Sequence, residues 1–157
     1  MIFATVGTHG QPFDRMLAGL ERLPDPAEVV VQYGCGRPPS GVRRAVDFMS
    51  FREMQEHLQA ADRVITHAGV GSILAARRWG HVPIVVPRQR ALGEHVDDHQ
   101  MELALALAER GEVVAVLPGE EIATALSRAP ERAAEPLVGQ AVGELADAVR
   151  DALLGAQ

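Results

Sequence analysis

The stretch "RVITHAGVGS", residues 63–72, decides how the chain is read. An apolar, β-branched run ends in a histidine, then two glycines and a serine lead into a helical pattern over Ser72–Trp79. Read alone, it is a strand, a tight turn and a helix, one βα unit. The unit recurs. Strands are expected at Ile2–Val6, Val29–Gln32, Ala45–Phe48, Arg63–Thr66, Pro83–Val86 and Val113–Val116. Their runs are continuously apolar rather than alternating, as in strands covered on both faces.

Helical patterns fall between them at Phe13–Leu23, Phe51–Ala60, Ser72–Trp79, Asp98–Arg110 and Glu120–Ser127. Pro12 suits a first helical turn. Ser50 and Glu53 have the spacing of a capping box. The series predicts an α/β fold, a Rossmann-like doubly wound parallel sheet of about six strands with right-handed crossovers. Residues 1–128 are read as one domain. Residues 129–157 are read as a linker and a C-terminal helix with apolar residues at 137, 141, 145, 149 and 153, packing on the domain or on a partner.

Composition excludes several functions. The 157 residues carry a net charge of −6, and no basic block offers a face to nucleic acid. All 15 cationic side chains are arginine, so Walker A, Schiff-base and protein-kinase chemistry are excluded. The lone Cys35 allows no internal disulfide and suits a reducing compartment. It reads as a loop residue. No signal peptide and no membrane span is expected, which points to a cytoplasmic chain.

Ligands of such sheets bind beyond the carboxyl ends of the strands. Those ends carry "GTHGQP" (7–12), "YGCGRPPSG" (33–41), "MS" (49–50), "HAGVGS" (67–72) and "PRQRALGEHVDDHQ" (87–100). The first lacks the G-x-G-x-x-G spacing, and Gln32 and Tyr33 stand where a dinucleotide site needs an acid. NAD is therefore not expected.

In "HAGVGS", Gly69 and Gly71 let the backbone approach a ligand closely and adopt positive φ, and Ser72 can cap the next helix. The helix N-terminus beyond is an anion site or an ordinary βα turn. His95 and His99, four apart with Asp98 between, have a metal spacing but lack H-E-x-x-H and a placed third ligand, so no metal is expected. Asp98, His99 and Gln100 suit sugar hydroxyls better. Arg88 and Arg90 meet a phosphate or are solvated loop charges.

Residues 61–111, with "HAGVGS", "VP" and "DHQ" in that order, closely resemble the C-terminal domain of glycosyltransferase family 28. "TVGTHGQPFDRML" near the start is similar to the opening of its small single-domain members. Those are the soluble subunit of the dolichol-linked GlcNAc transferase and bacterial exopolysaccharide subunits. The resemblance covers roughly residues 1–126. It implies the donor half of a GT-B glycosyltransferase that binds a UDP-sugar.

By the resemblance, His67, Gly69, Val70, Gly71 and Ser72 form the diphosphate loop, with Arg88 close by. Asp98, His99 and Gln100 face the donor sugar. Phe48, Met49 and Ser50 hold the uracil, largely through backbone. Gly7 and Thr8 lie on the cleft side. A membrane-associated partner subunit supplies the acceptor site and the usual general base, and recruits the chain to the membrane. Self-association through the cleft or tail helix is left open.

Many relatives hold the ribose with a glutamate at the position of Ala75. That departure keeps alive a second reading, a non-catalytic nucleotide-binding or scaffolding module. A third reading, a hydrolase or metal protein built on His67, His95 and His99, requires bound metal. No residue is assigned as general base from sequence. His9 and His95 are candidates and no more.

Overall fold

The computed structural model describes residues 1–132 and 140–155. Six parallel strands form one sheet: β1 (Ile2–Thr5), β2 (Val29–Gln32), β3 (Arg44–Val46), β4 (Arg63–His67), β5 (Ile84–Val86) and β6 (Val114–Ala115). Their order is β3-β2-β1-β4-β5-β6, so the winding reverses between β1 and β4. Ile2 to Thr5 pair with Val29 to Gln32 on one side and Arg63 to Thr66 on the other.

The helices are α1 (Asp14–Glu21), α2 (Phe51–Ala60), α3 (Val70–Arg78), α4 (His99–Glu109), α5 (Ile122–Arg128) and α6 (Gln140–Gly155). The doubly wound reading holds, for a simple physical reason. Strands buried on both faces need helices on both faces. Ala4, Val31, Ile65 and Ile84 meet Phe13 and Met16, Leu17 and Leu20 of α1, with Ile122 and Ala125 of α5. Opposite them, Phe3, Val30 and Val64 meet Leu58 of α2 and Ala76 of α3. Val85 and Ala115 on that face meet Ile73 of α3 with Leu103 and Leu107 of α4. Each such large apolar side chain, wholly buried, contributes about 1.5–3 kcal/mol.

The tail helix packs on its own domain. Leu145, Ala148 and Val149 of α6 join the cluster of Ile73, Leu103 and Leu107, and α6 lies against α3 and α4. Of the stripe, Leu145 and Val149 are buried. Leu153 is exposed, and positions 137 and 141 lie outside the residues whose side chains are described. Among the described residues no helix is long and apolar enough to cross a membrane.

The boundaries that moved lie at the site end of the sheet. β3 begins at Arg44 and ends at Val46, not Phe48, because Met49 N–H donates to Gln32 Oε1 (2.8 Å) and turns the chain out of the sheet. β6 spans two residues of the expected four. α3 begins at Val70, two residues before Ser72, with Gly69 as N-cap. Ser72 therefore sits inside the first turn and is not the cap. Neither Gly69 (φ −85°) nor Gly71 takes positive φ. The expected capping box at Ser50 and Glu53 is present in full.

Candidate functional site

His67 is the last residue of β4, 9% exposed, with Nδ1 3.3 Å from Thr66 Oγ1. Two glycines make its space. A Cβ on Gly7 or on Gly69 would collide with the imidazole, at Cε1 and Nε2. Gly7 also needs φ +78°, a backbone that side chains resist. So the glycine after β1 and the glycine after β4 form one socket for the ring, at the point where the winding reverses.

The socket opens onto the start of α3. Helix geometry gives the N–H groups of Val70, Gly71 and Ser72 no intrahelical acceptor, and nothing lies within 4 Å of where a Gly71 Cβ would be. The start of α3 thus turns N–H groups and the positive end of its dipole toward open space, the features an anion would use.

Burial sets the charge of His67. Loss of solvent, with Arg88 and His9 nearby, lowers its pKa from 6.5 to about 4. The ring is neutral at pH 7 and acts by hydrogen bonding. Above pH 6.5 it is neutral folded or unfolded and contributes nothing to pH dependence. As pH falls from 6.5 toward 4 the unfolded chain takes up a proton that the folded chain refuses, so stability falls. By pH 4 the loss is about 3 kcal/mol. Buried His81, also shifted down by burial, acts in the same direction. Urea midpoints at pH 7 and pH 4 are expected to show that His67→Gln removes about 3 kcal/mol of the wild-type difference. Equal differences in the two proteins would refute the assignment.

Gln32 supports two site loops at once. It is wholly buried, and its Nε2 donates to Thr5 Oγ1 (2.9 Å) and Gly7 O (3.4 Å) while its Oε1 accepts from Met49 N–H. Thr5 Oγ1 in turn accepts from Gly7 N–H at 3.0 Å. One side chain thus fixes the loop after β1 and the Phe48–Ser50 loop. In the sequence, Gln32 closes a strand where a dinucleotide site needs an acid. A lone polar residue closing "VVVQ" was the available signal.

Arg88 is placed differently from the expectation. It is fully buried and stacks 4.5 Å over the Phe13 ring. Its guanidinium donates to Pro12 O (3.2 Å), Gln11 O (3.1 Å) and Glu94 O (3.3 Å). Beside it Arg15 holds Glu94 through two hydrogen bonds of 2.9 Å and reaches Pro87 O at 2.8 Å. These side chains clasp the 7–12 loop to the 87–95 loop. Arg88 is a strut under the cleft, with no arm exposed to a phosphate.

Asp98 is the N-cap of α4, and its Oδ1 accepts from Arg90 N–H at 3.0 Å. His99 is exposed at the first position of α4. Gln100 Oε1 accepts from Arg88 N–H at 3.1 Å, which leaves its amide NH₂ for other partners. Phe48 and Phe51 are exposed apolar rings flanking Met49 and Ser50. Thr8 is exposed in the loop after Gly7. Ala75 is partly buried against the Phe3–Leu58 cluster, near Met49 and Met54. Among the described residues no group of three His, Cys, Asp or Glu side chains is placed to hold a metal.

A parallel sheet in this order, with the glycine-lined start of α3 at its switch point and polar loops around it, defines a Rossmann-like domain. The chain belongs to the glycosyltransferase family 28 C-terminal domain, whose family model matches residues 1–138. It is similar to the human UDP-N-acetylglucosamine transferase subunit ALG13, 29% identical over 155 residues, 85% of this chain and 13% of that protein. Proteins of the same name from Cryptococcus neoformans (strain JEC21) and Yarrowia lipolytica are 45% identical over 71 residues and 35% over 81. Those matches cover 44% and 47% of this chain. The chain thus spans well under half of these relatives, 34% and 39% in the two fungal cases. No solved structure matches it significantly.

Proposed function

We propose that this chain is the donor-binding part of a two-chain GT-B glycosyltransferase. It holds a UDP-sugar and works with a membrane-associated subunit that carries a lipid-linked or polysaccharide-precursor acceptor. One observation carries the reading most: the open N-terminus of α3 beside a buried neutral histidine at the β1/β4 switch point. A diphosphate would lie against the N–H groups of Val70, Gly71 and Ser72, which would stabilise the leaving UDP without a metal. His67 would add a neutral N–H from Nε2 when Thr66 donates to Nδ1. Uracil would lie on the Phe48–Ser50 loop, and the sugar against Asp98, His99 and Gln100. Ribose must be met by groups other than residue 75, since alanine offers none.

Titration calorimetry of the isolated protein with UDP and with UDP-N-acetylglucosamine is expected to give one site of micromolar to millimolar affinity. Binding of neither, with or without membranes of the source cell, sinks the proposal.

A further inference from the structure

Base, ribose and diphosphate are joined in that order. A nucleoside diphosphate laid from the Phe48–Ser50 loop to the start of α3 therefore sets its ribose between the two. Ser50 is the N-cap of α2 and Gly69 that of α3, so both helices start at this end of the sheet. Ala75 stands one turn into α3 from Gly71, on the same helix face. Ala75, Met49 and Met54 all pack on the cluster of Phe3, Val30, Leu58 and Ala76, and all three are only partly buried. The seam between α2 and α3 along this path is thus apolar. Phe48 and Phe51 beside it are exposed, so its outer side meets water.

The polar side chains that border the seam serve the fold. Glu53 Oε2 accepts from the N–H of Ser50 (3.0 Å) and from its hydroxyl (3.2 Å), and these two bonds hold the carboxyl below its ordinary range. Gln55 Oε1 accepts from Trp79 Nε1 at 2.7 Å, which ties α2 to α3. Gln32 is wholly buried and bonded at both ends of its amide. Asp47 Oδ1 accepts from Phe48 N–H at 2.7 Å. Ser72 precedes Ala75 by three residues. Helical side chains lean toward the N-terminus, which carries its hydroxyl to the diphosphate end of the path.

We infer that the donor site does not read the 2′-hydroxyl of the nucleotide, and that it binds 2′-deoxypyrimidine nucleoside diphosphates as tightly as ribonucleotides. This rests on the donor-binding reading above. A site that meets the hydroxyl with a carboxylate gains a charged hydrogen bond, worth about 10–150-fold in affinity, and forfeits it when the hydroxyl is absent. An apolar seam with water on its outer side makes no such distinction. The hydroxyl keeps its water, and its removal leaves no buried protein group unpaired. The methylene left in its place suits methionine and alanine. The donor class thus widens to sugars carried on 2′-deoxypyrimidine nucleoside diphosphates, and selectivity for the nucleotide falls to the base loop and the start of α3.

Titration calorimetry of the full-length protein with UDP and with 2′-deoxy-UDP tests this without any variant. The two Kd values are expected to agree within about threefold. Ala75→Glu adds the missing partner at a partly exposed helix position that glutamate tolerates well. It is expected to prefer UDP over 2′-deoxy-UDP by at least about tenfold. A general loss of stability weakens both nucleotides alike and leaves that ratio unmoved. A wild-type preference for UDP beyond threefold overturns the inference, because some group then reads the hydroxyl. A folded Ala75→Glu protein that binds UDP with the wild-type ratio overturns it too, because the ribose then lies elsewhere. Wild-type protein that binds neither nucleotide overturns the donor reading itself.

Discussion

Gly7→Ala is expected to unfold the site and to cost the protein about 2–5 kcal/mol. Two costs add there. A side chain at φ +78° costs about 1–2 kcal/mol. Its Cβ would also overlap the His67 ring, and overpacking of that kind costs about 1–3 kcal/mol. Gly69→Ala isolates the second cost, because φ −85° suits alanine. It should lose about 1–3 kcal/mol in urea denaturation, and UDP binding with it, since the displaced ring enters the space over α3. The double variant Gly69→Ala/His67→Ala should be more stable than the sum of the single losses, because the clash needs both groups. A Gly69→Ala protein with wild-type stability and wild-type UDP affinity would remove the socket from the account.

Arg88→Ala should be the most damaging single change outside the socket, at about 3–5 kcal/mol. It opens a cavity over Phe13 and leaves the carbonyls of Gln11, Pro12 and Glu94 without their donor. Arg88→Lys should not rescue it fully. An ammonium is a point donor and cannot reproduce the planar fork or its stacking on the ring. Hydrogen exchange should show faster opening in residues 7–12 and 88–98, while β1, β2 and β4 keep their protection. If Arg88→Ala costs under 1 kcal/mol, the two loops are held by Arg15–Glu94 alone, and the clasp is misassigned.

Particular residues show how much of this was legible. Strands such as "VVV" and "RVIT" are apolar without alternation, and the glycines and capping residues between them mark crossovers. Those local signals carry a doubly wound sheet directly. They also place "HAGVGS" at a carboxyl end, beside "GTHGQP". The start of α3 moved to Val70 because a glycine N-cap leaves no side-chain signature. Ser72, the residue with a capping side chain, drew the boundary to itself. Arg88 and Arg90 are one residue apart in "PRQR", and nothing local tells which is buried. Only Phe13 and three carbonyls, two of them about 76 positions away, separate the strut from the surface charge.

The amino-acid sequence by itself determined the class of the fold, its family and the ends of the strands that matter. The class and the strand ends follow from interactions within a few residues, from hydrophobic period, turn chemistry and capping, and the family from the resemblance carried by residues 61–111. The tertiary structure alone decided what the polar residues at those ends do. His67 is explained by Gly7, sixty positions earlier, and Gln32 by Thr5 and Met49. A buried polar group takes its role from whichever partners satisfy it. In a parallel sheet those partners arrive from separate crossovers, so no local pattern records them.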